Sequence, residues 1–212
     1  MPTDRTDSLS KLQHCAAQLA SGPWKFIRLR GMASEVEMID RDDIDLLGSR
    51  DAVNSLLDAA YSWVRDGLCH LRVKSTTADK VGLYLISCDG KHRLSLDLWI
   101  DLWQINRRQQ RLTYEALSSH AEKSQTSLLR LPIIKEASIF IHHLLSKKKN
   151  CRDPKQLARM EDYATLTVEI DAKLSTLLRQ AHSEQKISAE LESYTLSLLQ
   201  DVAITSPSAK WH

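Results

Sequence analysis

Punctuation is scarce in this chain of 212 residues, which has only 6 glycines and 5 prolines. That excludes collagen-like and low-complexity architectures and points to regular elements joined by short connections. The cysteines Cys15, Cys69, Cys88 and Cys151 include no Cys-x-x-Cys pair. A zinc ribbon or a disulfide framework is therefore not expected, and reduced thiols are. No apolar run approaches the roughly 20 residues a bilayer needs. The first residues place acids ahead of a short apolar patch, unlike a signal peptide. A cytoplasmic protein with no membrane contact is the expectation. Charge of one sign is also missing: 29 basic side chains face 27 acidic ones, for a net charge of +2. Composition thus makes no case for nucleic acid.

What is present divides into two styles. The first half alternates strands and helices. Apolar residues at helical spacing (Leu9, Leu12, Ala16, Leu19) precede the alternating "WKFIRLR" at 24–30 and "DIDLL" at 43–47. A helix over "SRDAVNSLLDAAYSWVRDG" ends at Gly67. Three more strands follow, "LCHLRV", "VGLYLIS" and "HRLSLDLW", the last two joined by "CDGK", whose Asp-Gly supplies the positive φ of a tight antiparallel hairpin. From about residue 102 the period becomes helical, in segments covering 101–123, 132–150, 153–182 and 187–203. The predicted architecture is α+β: a mixed β-sheet core over 1–105 and a C-terminal helical region over 106–212.

Successive strand side chains face opposite sides. Asp43 and Asp45 therefore share one face while Ile44 and Leu46 take the other. In "LSLDLW" Ser95, Asp97 and Trp99 likewise lie opposite Leu94, Leu96 and Leu98. If the two strands are neighbours, three carboxylates meet on one patch. Crowded like charges are stable mainly when a cation joins them. Hard oxygen ligands of this kind suit Mg²⁺ or Mn²⁺. A solvated Asp-x-Asp at a strand edge is the plainer alternative. On the metal reading, Asp45→Asn removes a repelling charge and leaves folding intact or improved.

Gly31, at the end of "RLRG", stands where a helix N-terminus could receive a phosphate. The arrangement "RLRGMAS…DDIDLL…LSLDLW" resembles the nucleotidyltransferase fold of the DNA polymerase beta superfamily, over residues 24–103. Within it the similarity runs to uncharacterised bacterial nucleotidyltransferase-like proteins with comparable "LRG", "DIDLL" and "DLW" segments. The resemblance implies a nucleotidyltransferase-like core and metal-dependent transfer of a nucleotidyl group from an NTP, ATP being the expected one, to a hydroxyl or phosphate acceptor. It also implies Asp43, Asp45 and Asp97 as catalytic metal ligands, with Gly31 and Ser34 near the triphosphate. A pair at 43 and 45 turned onto a neighbouring guanidinium would count against the transferase reading as a whole. The family's Gly-Ser or Gly-Gly pair is Gly31-Met32 here, with the serine displaced to Ser34. A non-catalytic binding module with a protein partner on the C-terminal helices is thus a second expectation. An RNA-directed transferase is a third, against which the even charge balance counts.

Arg28 and Arg30 reach either a phosphate or the acids Glu35, Glu37 and Asp42. Lys74, Lys80, Lys91 and Arg93 flank the hairpin strands, and nothing in the sequence selects among them. Adjacent His142 and His143 point about 100° apart on a helix, so one is expected packed and the other wet. The basic "SKKKN" after them suits a helix C-terminus. Trp24 and Trp63 are expected in the core, and Trp99 and Trp103 as packing.

Overall fold

The computed structural model describes residues 5–30, 36–105, 110–123, 128–146 and 151–205. In chain order the elements are α1 (Arg5–Ser21), β1 (Phe26–Arg28), β2 (Ile44–Gly48), α2 (Arg50–Arg65), β3 (His70–Thr77), β4 (Lys80–Ile86) and β5 (Arg93–Ile100). There follow β6 (Leu102–Ile105), β7 (Gln110–Thr113), α3 (Tyr114–Ser118), β8 (Glu122–Lys123), β9 (Leu129–Arg130) and α4 (Ile133–Ser146). The last four are α5 (Pro154–Thr167), α6 (Ala172–Glu184), α7 (Ala189–Ser197) and β10 (Ala203–Thr205). The chain divides into two compact units, 1–103 with 121–130, and 104–120 with 131–212.

The first unit is a mixed sheet in the order β3-β4-β5-β2-β1-β9-β8. β2 runs parallel to β5 and antiparallel to β1, and β4 lies antiparallel between β3 and β5. Every residue of β2 is buried, as a central strand covered on both sides requires. The core on one face joins Leu12, Ala16 and Leu19 of α1 to Phe26, Ile44, Leu46, Leu83, Leu96 and Leu98, with Val53, Leu56 and Trp63 of α2. Trp24 and Trp63 meet edge to face at 6.2 Å and Trp24 Nε1 donates to Leu19 O at 2.9 Å, so both are core residues as expected.

Two devices fix the ends of β2. Ser49 caps α2 by accepting from Ala52 N–H at 3.2 Å, and Asp101 Oδ1 accepts from Arg50 N–H at 3.1 Å. Upstream, Asp40 sits in the left-handed region at φ 61. Its carboxylate accepts from Arg93 N–H at 2.8 Å and lies 2.6 Å from His92 Nδ1. The run before Asp43 is thereby pinned to the start of β5.

The second unit packs α4 to α7 around Phe140, Met160, Tyr163, Leu174, Leu178 and Leu191. Residues 136–144 of α4 are buried without a break, the mark of a helix covered on all sides. Asp153, Asp171 and Ser188 cap α5, α6 and α7. The segment 153–182, read as one helical run, breaks so that Asp171 can accept from Leu174 N–H at 2.9 Å.

The helical reading of 101–123 does not hold. That stretch carries β6, β7, the short helix α3 and β8. Strands of four residues are too short to assert a period of two against flanking helices. The paired histidines also differ from expectation, because His142 and His143 are both buried.

His142 Nε2 lies 3.2 Å from Thr195 Oγ1, whose own hydroxyl donates to Leu191 O at 2.8 Å. Burial pushes the imidazole down to about 4 from 6.5. A depressed folded value means stability that is full above pH 6.5 and lost as pH falls through about 4. His142→Leu is expected to remove roughly 3 kcal/mol of that acid dependence. Urea unfolding followed by helical circular dichroism at several pH values checks it, and an unchanged slope would assign the acid loss elsewhere.

Candidate active site on the carboxylate face

The parallel ladder of β2 and β5 sets Asp45 opposite Asp97, with Ile44 opposite Leu96. The leucines and isoleucine go to the core, and the two aspartates project from the other face, joined by Asp43. The expected convergence of the three acids is thus present, on strands far apart in sequence.

Each carboxylate oxygen has a donor from the chain itself. Asp43 Oδ1 accepts from the Ser95 hydroxyl and its Oδ2 from Lys74 Nζ at 2.7 Å. Asp45 Oδ2 pairs with Arg30 Nη2, and its Oδ1 accepts from Trp99 Nε1 at 3.2 Å. Asp97 Oδ2 pairs with Lys80, and its Oδ1 lies 3.5 Å from Lys74 Nζ. Lys80 also stands 4.8 Å from the Trp99 ring centre, while Lys74 and Arg93 lie 5.6 Å and 5.2 Å from that of Tyr84. Trp99 thus joins this face as a hydrogen-bond donor and cation partner.

Lys74 reaches this position through backbone irregularity. The β3–β4 register shifts between Val73 and Ser75, a bulge that leaves Lys74 out of the ladder and re-aims its side chain. Its path crosses Gly82, which pairs with Asp97. A Cβ on Gly82 would lie 2.7 Å from Ser75 Oγ, 3.3 Å from Asp97 Oδ1 and 3.4 Å from Lys74 Cβ. Glycine is required here for close approach rather than for an unusual φ.

Ionisation follows the contacts. Burial alone would raise the Asp43 carboxyl, but hydrogen bonds from Lys74 and Ser95 outweigh it and hold the group below the ordinary carboxylate value. Burial likewise works against charge on Lys74, and the Asp43 hydrogen bond with the charges of Asp97 and Asp43 holds its ammonium above the ordinary lysine value.

The expected site residues fare differently. Asp43, Asp45 and Asp97 come together. Arg30 meets Asp45, a partner outside the three acids weighed for it, and its Nη1 is buried with no hydrogen-bond acceptor among the described residues. Gly31 and Ser34 lie outside the described residues. Of the flanking cations, Lys74 and Lys80 enter the site while Lys91 pairs with Asp89 at 3.5 Å.

Among the described residues, no three His, Cys, Asp or Glu side chains are arranged to hold a metal ion. Asp45, expected as a metal ligand with Asp43 and Asp97, is paired with Arg30 and Trp99. Two carboxylates, however, are what a magnesium ion commonly takes from a protein when phosphate oxygens complete its shell. Asp43 and Asp97 form such a pair, and share the Lys74 ammonium at 2.7 Å and 3.5 Å. The donor chemistry of that pair fits a hard divalent ion.

Comparison with known proteins adds little. No family model matches the chain, and no curated protein matches it either. Two solved structures align along most of their length. One, an H. pylori protein with a provisional nucleotidyltransferase designation, is 11% identical over 93% of this chain and 99% of its own, with a TM-score of 0.34. JHP933 from Helicobacter pylori is 13% identical over 91% of this chain and 95% of its own, again with a TM-score of 0.34. Similarity this slight carries no argument about fold or activity. No helix among the described residues is long and apolar enough to cross a membrane.

Asp45→Asn is expected to lower stability by about 2–4 kcal/mol, because it strands a buried guanidinium without its counter-charge. That reverses the outcome expected from charge crowding alone. Asp43→Asn, at a side chain 41% exposed, is expected to cost about 1 kcal/mol or less. Denaturant titration of both variants checks the order, and the opposite order would mean that repulsion among the acids dominates.

Proposed function

We propose that the chain is a nucleotidyltransferase that moves a nucleotidyl group from an NTP, ATP being the expected donor, to a hydroxyl or phosphate acceptor. The observation that carries this reading is the Asp43–Asp97 pair sharing the Lys74 ammonium on one face of the sheet. A cytoplasmic setting, where NTPs and Mg²⁺ coexist, suits it.

On this reading Asp43 and Asp97 would hold a divalent ion, Mg²⁺ or Mn²⁺, which supplies charge neutralisation to the transferring phosphoryl group. Asp45 has a different task. It anchors Arg30 and Trp99. Lys80, held over Trp99, and Lys74 present ammonium groups to the leaving phosphates. The acceptor oxygen forms its bond to the α-phosphorus as the bond to pyrophosphate breaks. The acceptor proton passes to a carboxylate of the pair or to water. Such a site works by positioning and electrostatics, with no covalent intermediate.

A second reading is favoured by one observation: all six carboxylate oxygens of Asp43, Asp45 and Asp97 already accept from this chain. A module that keeps the sheet and binds a nucleotide or a protein without turnover would need nothing more.

Incubation with α-labelled ATP and Mg²⁺ or Mn²⁺ separates the two. The transferase reading predicts label transferred to protein, glycan precursor or small-molecule acceptors, and at least a hundredfold loss in Asp43→Asn, whose 41% exposed side chain can change with little effect on folding. Nucleotide-dependent thermal stabilisation without transfer, indifferent to Asp43→Asn, would leave the module.

A further inference from the structure

Three of the four cysteines lie near one another in the first unit, away from the carboxylate face. β3 begins where β4 ends, with His70 paired to Ile86, so Cys69 and Cys88 flank the same end of the sheet. Helix α1 is fastened there by Ser8, whose hydroxyl accepts from Asp89 N–H at 3.0 Å. About two turns further along α1, Cys15 enters the core that also contains Cys69. The two thiols are hydrogen-bond partners, and both cysteines are free.

A free cysteine usually serves a core as a small apolar side chain. Two of them from segments more than fifty residues apart, sulfur against sulfur, are set for a reaction that neither undergoes alone. Their contact is also unequal. The hydrogen bond to Cys69, together with burial, pushes the Cys15 thiol well above its ordinary value, so Cys15 keeps its proton. The same hydrogen bond holds Cys69 below the ordinary thiol value, against the opposing effect of burial. Cys69 is thus the nucleophile of the pair, and Cys15 the proton donor beside it. Cys88 differs on each count: it is exposed, and its thiol donates to Gly67 O at 3.3 Å. Cys151 belongs to the other unit.

We propose that Cys15 and Cys69 are a modification site for hydroperoxide, closing a reversible disulfide that ties α1 to the start of β3. The Cys69 thiolate attacks one peroxide oxygen, the O–O bond breaks, and the departing hydroxide takes up the proton that Cys69 had released. Cys69 is then a sulfenic acid. The Cys15 sulfur attacks the Cys69 sulfur, the S–O bond breaks, and water leaves with the Cys15 proton. Two thiols are oxidised to one disulfide and one peroxide is reduced to two waters. Neither sulfur meets solvent in the closed fold, so the oxidant has to be small and to enter on local opening of the helix. Hydrogen peroxide meets that need, whereas a bulky disulfide does not. None of this depends on what binds the carboxylate face.

Peptide mapping of the full chain tests it: the reduced protein is treated with hydrogen peroxide, unfolded, alkylated and digested without reductant. Most of the protein is expected about 2 Da lighter, with the Cys15 peptide joined to the Cys69 peptide and the link undone by dithiothreitol. Cys88→Ser should leave that link in place. Cys15→Ala should instead leave Cys69 as a sulfenic acid that dimedone traps, and Cys69→Ala should leave Cys15 unmodified. Should either alanine variant fail to fold, the map of the natural chain decides. A link through Cys88 or Cys151 overturns the proposal. So does a natural chain in which Cys15 and Cys69 both remain open to alkylation after peroxide treatment.

Discussion

A carboxylate on the inner strands of a covered sheet must find a cation or give up its charge. Two such strands lie side by side here, β2 and β5, in a parallel register that sets Asp45 directly across from Asp97. Neighbouring strands are about 4.8 Å apart, so the two side chains would repel strongly in a medium less polar than water. Most of the irregular features of the first unit answer that problem. Arg30, just beyond β1, approaches from one side and takes Asp45. β3 and β4 approach from the other with Lys74 and Lys80. A bulge and a bare glycine serve the longer of those two reaches.

Such pairing is a weak source of net stability, since desolvation offsets much of the attraction. Its value lies in specification. A hydrophobic replacement of this face would hold the strands equally well but would leave nothing for a charged ligand to exchange with. The second unit offers the contrast. Its buried polar groups close on one another locally: Tyr163 donates to Glu136 at 2.8 Å, and Ser175 to Ala164 O at 2.6 Å. Those contacts lock helices together, whereas the groups on the sheet face include long, cationic side chains that can be drawn away.

Legibility in the sequence followed how local each determinant is. The face shared by Asp43 and Asp45, the opposed face of Leu94, Leu96 and Leu98, the Asp-Gly hairpin and the capped helix α2 all depend on neighbours within a few positions, and all are present. The meeting of Asp97 with the pair was conditional on strand order, which alternation alone does not determine. Arg30 was visible as a cation near the site but not as the partner of Asp45, because that contact joins positions fifteen apart. Lys74 was one of four equivalent-looking cations until the bulge singled it out. The strands β6 and β7 were lost to the strong helical periodicity around them. A histidine pair gave no sign that the whole turn of α4 around it is enclosed, because enclosure depends on which helices come back to cover it.

Exposure across the acids orders their roles. The side chain of Asp45 is 5% exposed and that of Asp97 10%, against 41% for Asp43. Solvent, and anything dissolved in it, therefore meets Asp43 and its Lys74 partner before the others. Asp97 lies behind them, and Asp45 deepest, locked between a guanidinium and an indole N–H. The deepest aspartate, whose spacing from Asp43 draws attention to the motif, is on this ground the one whose loss leaves a partner most poorly solvated. The shallowest is the one most open to solvent.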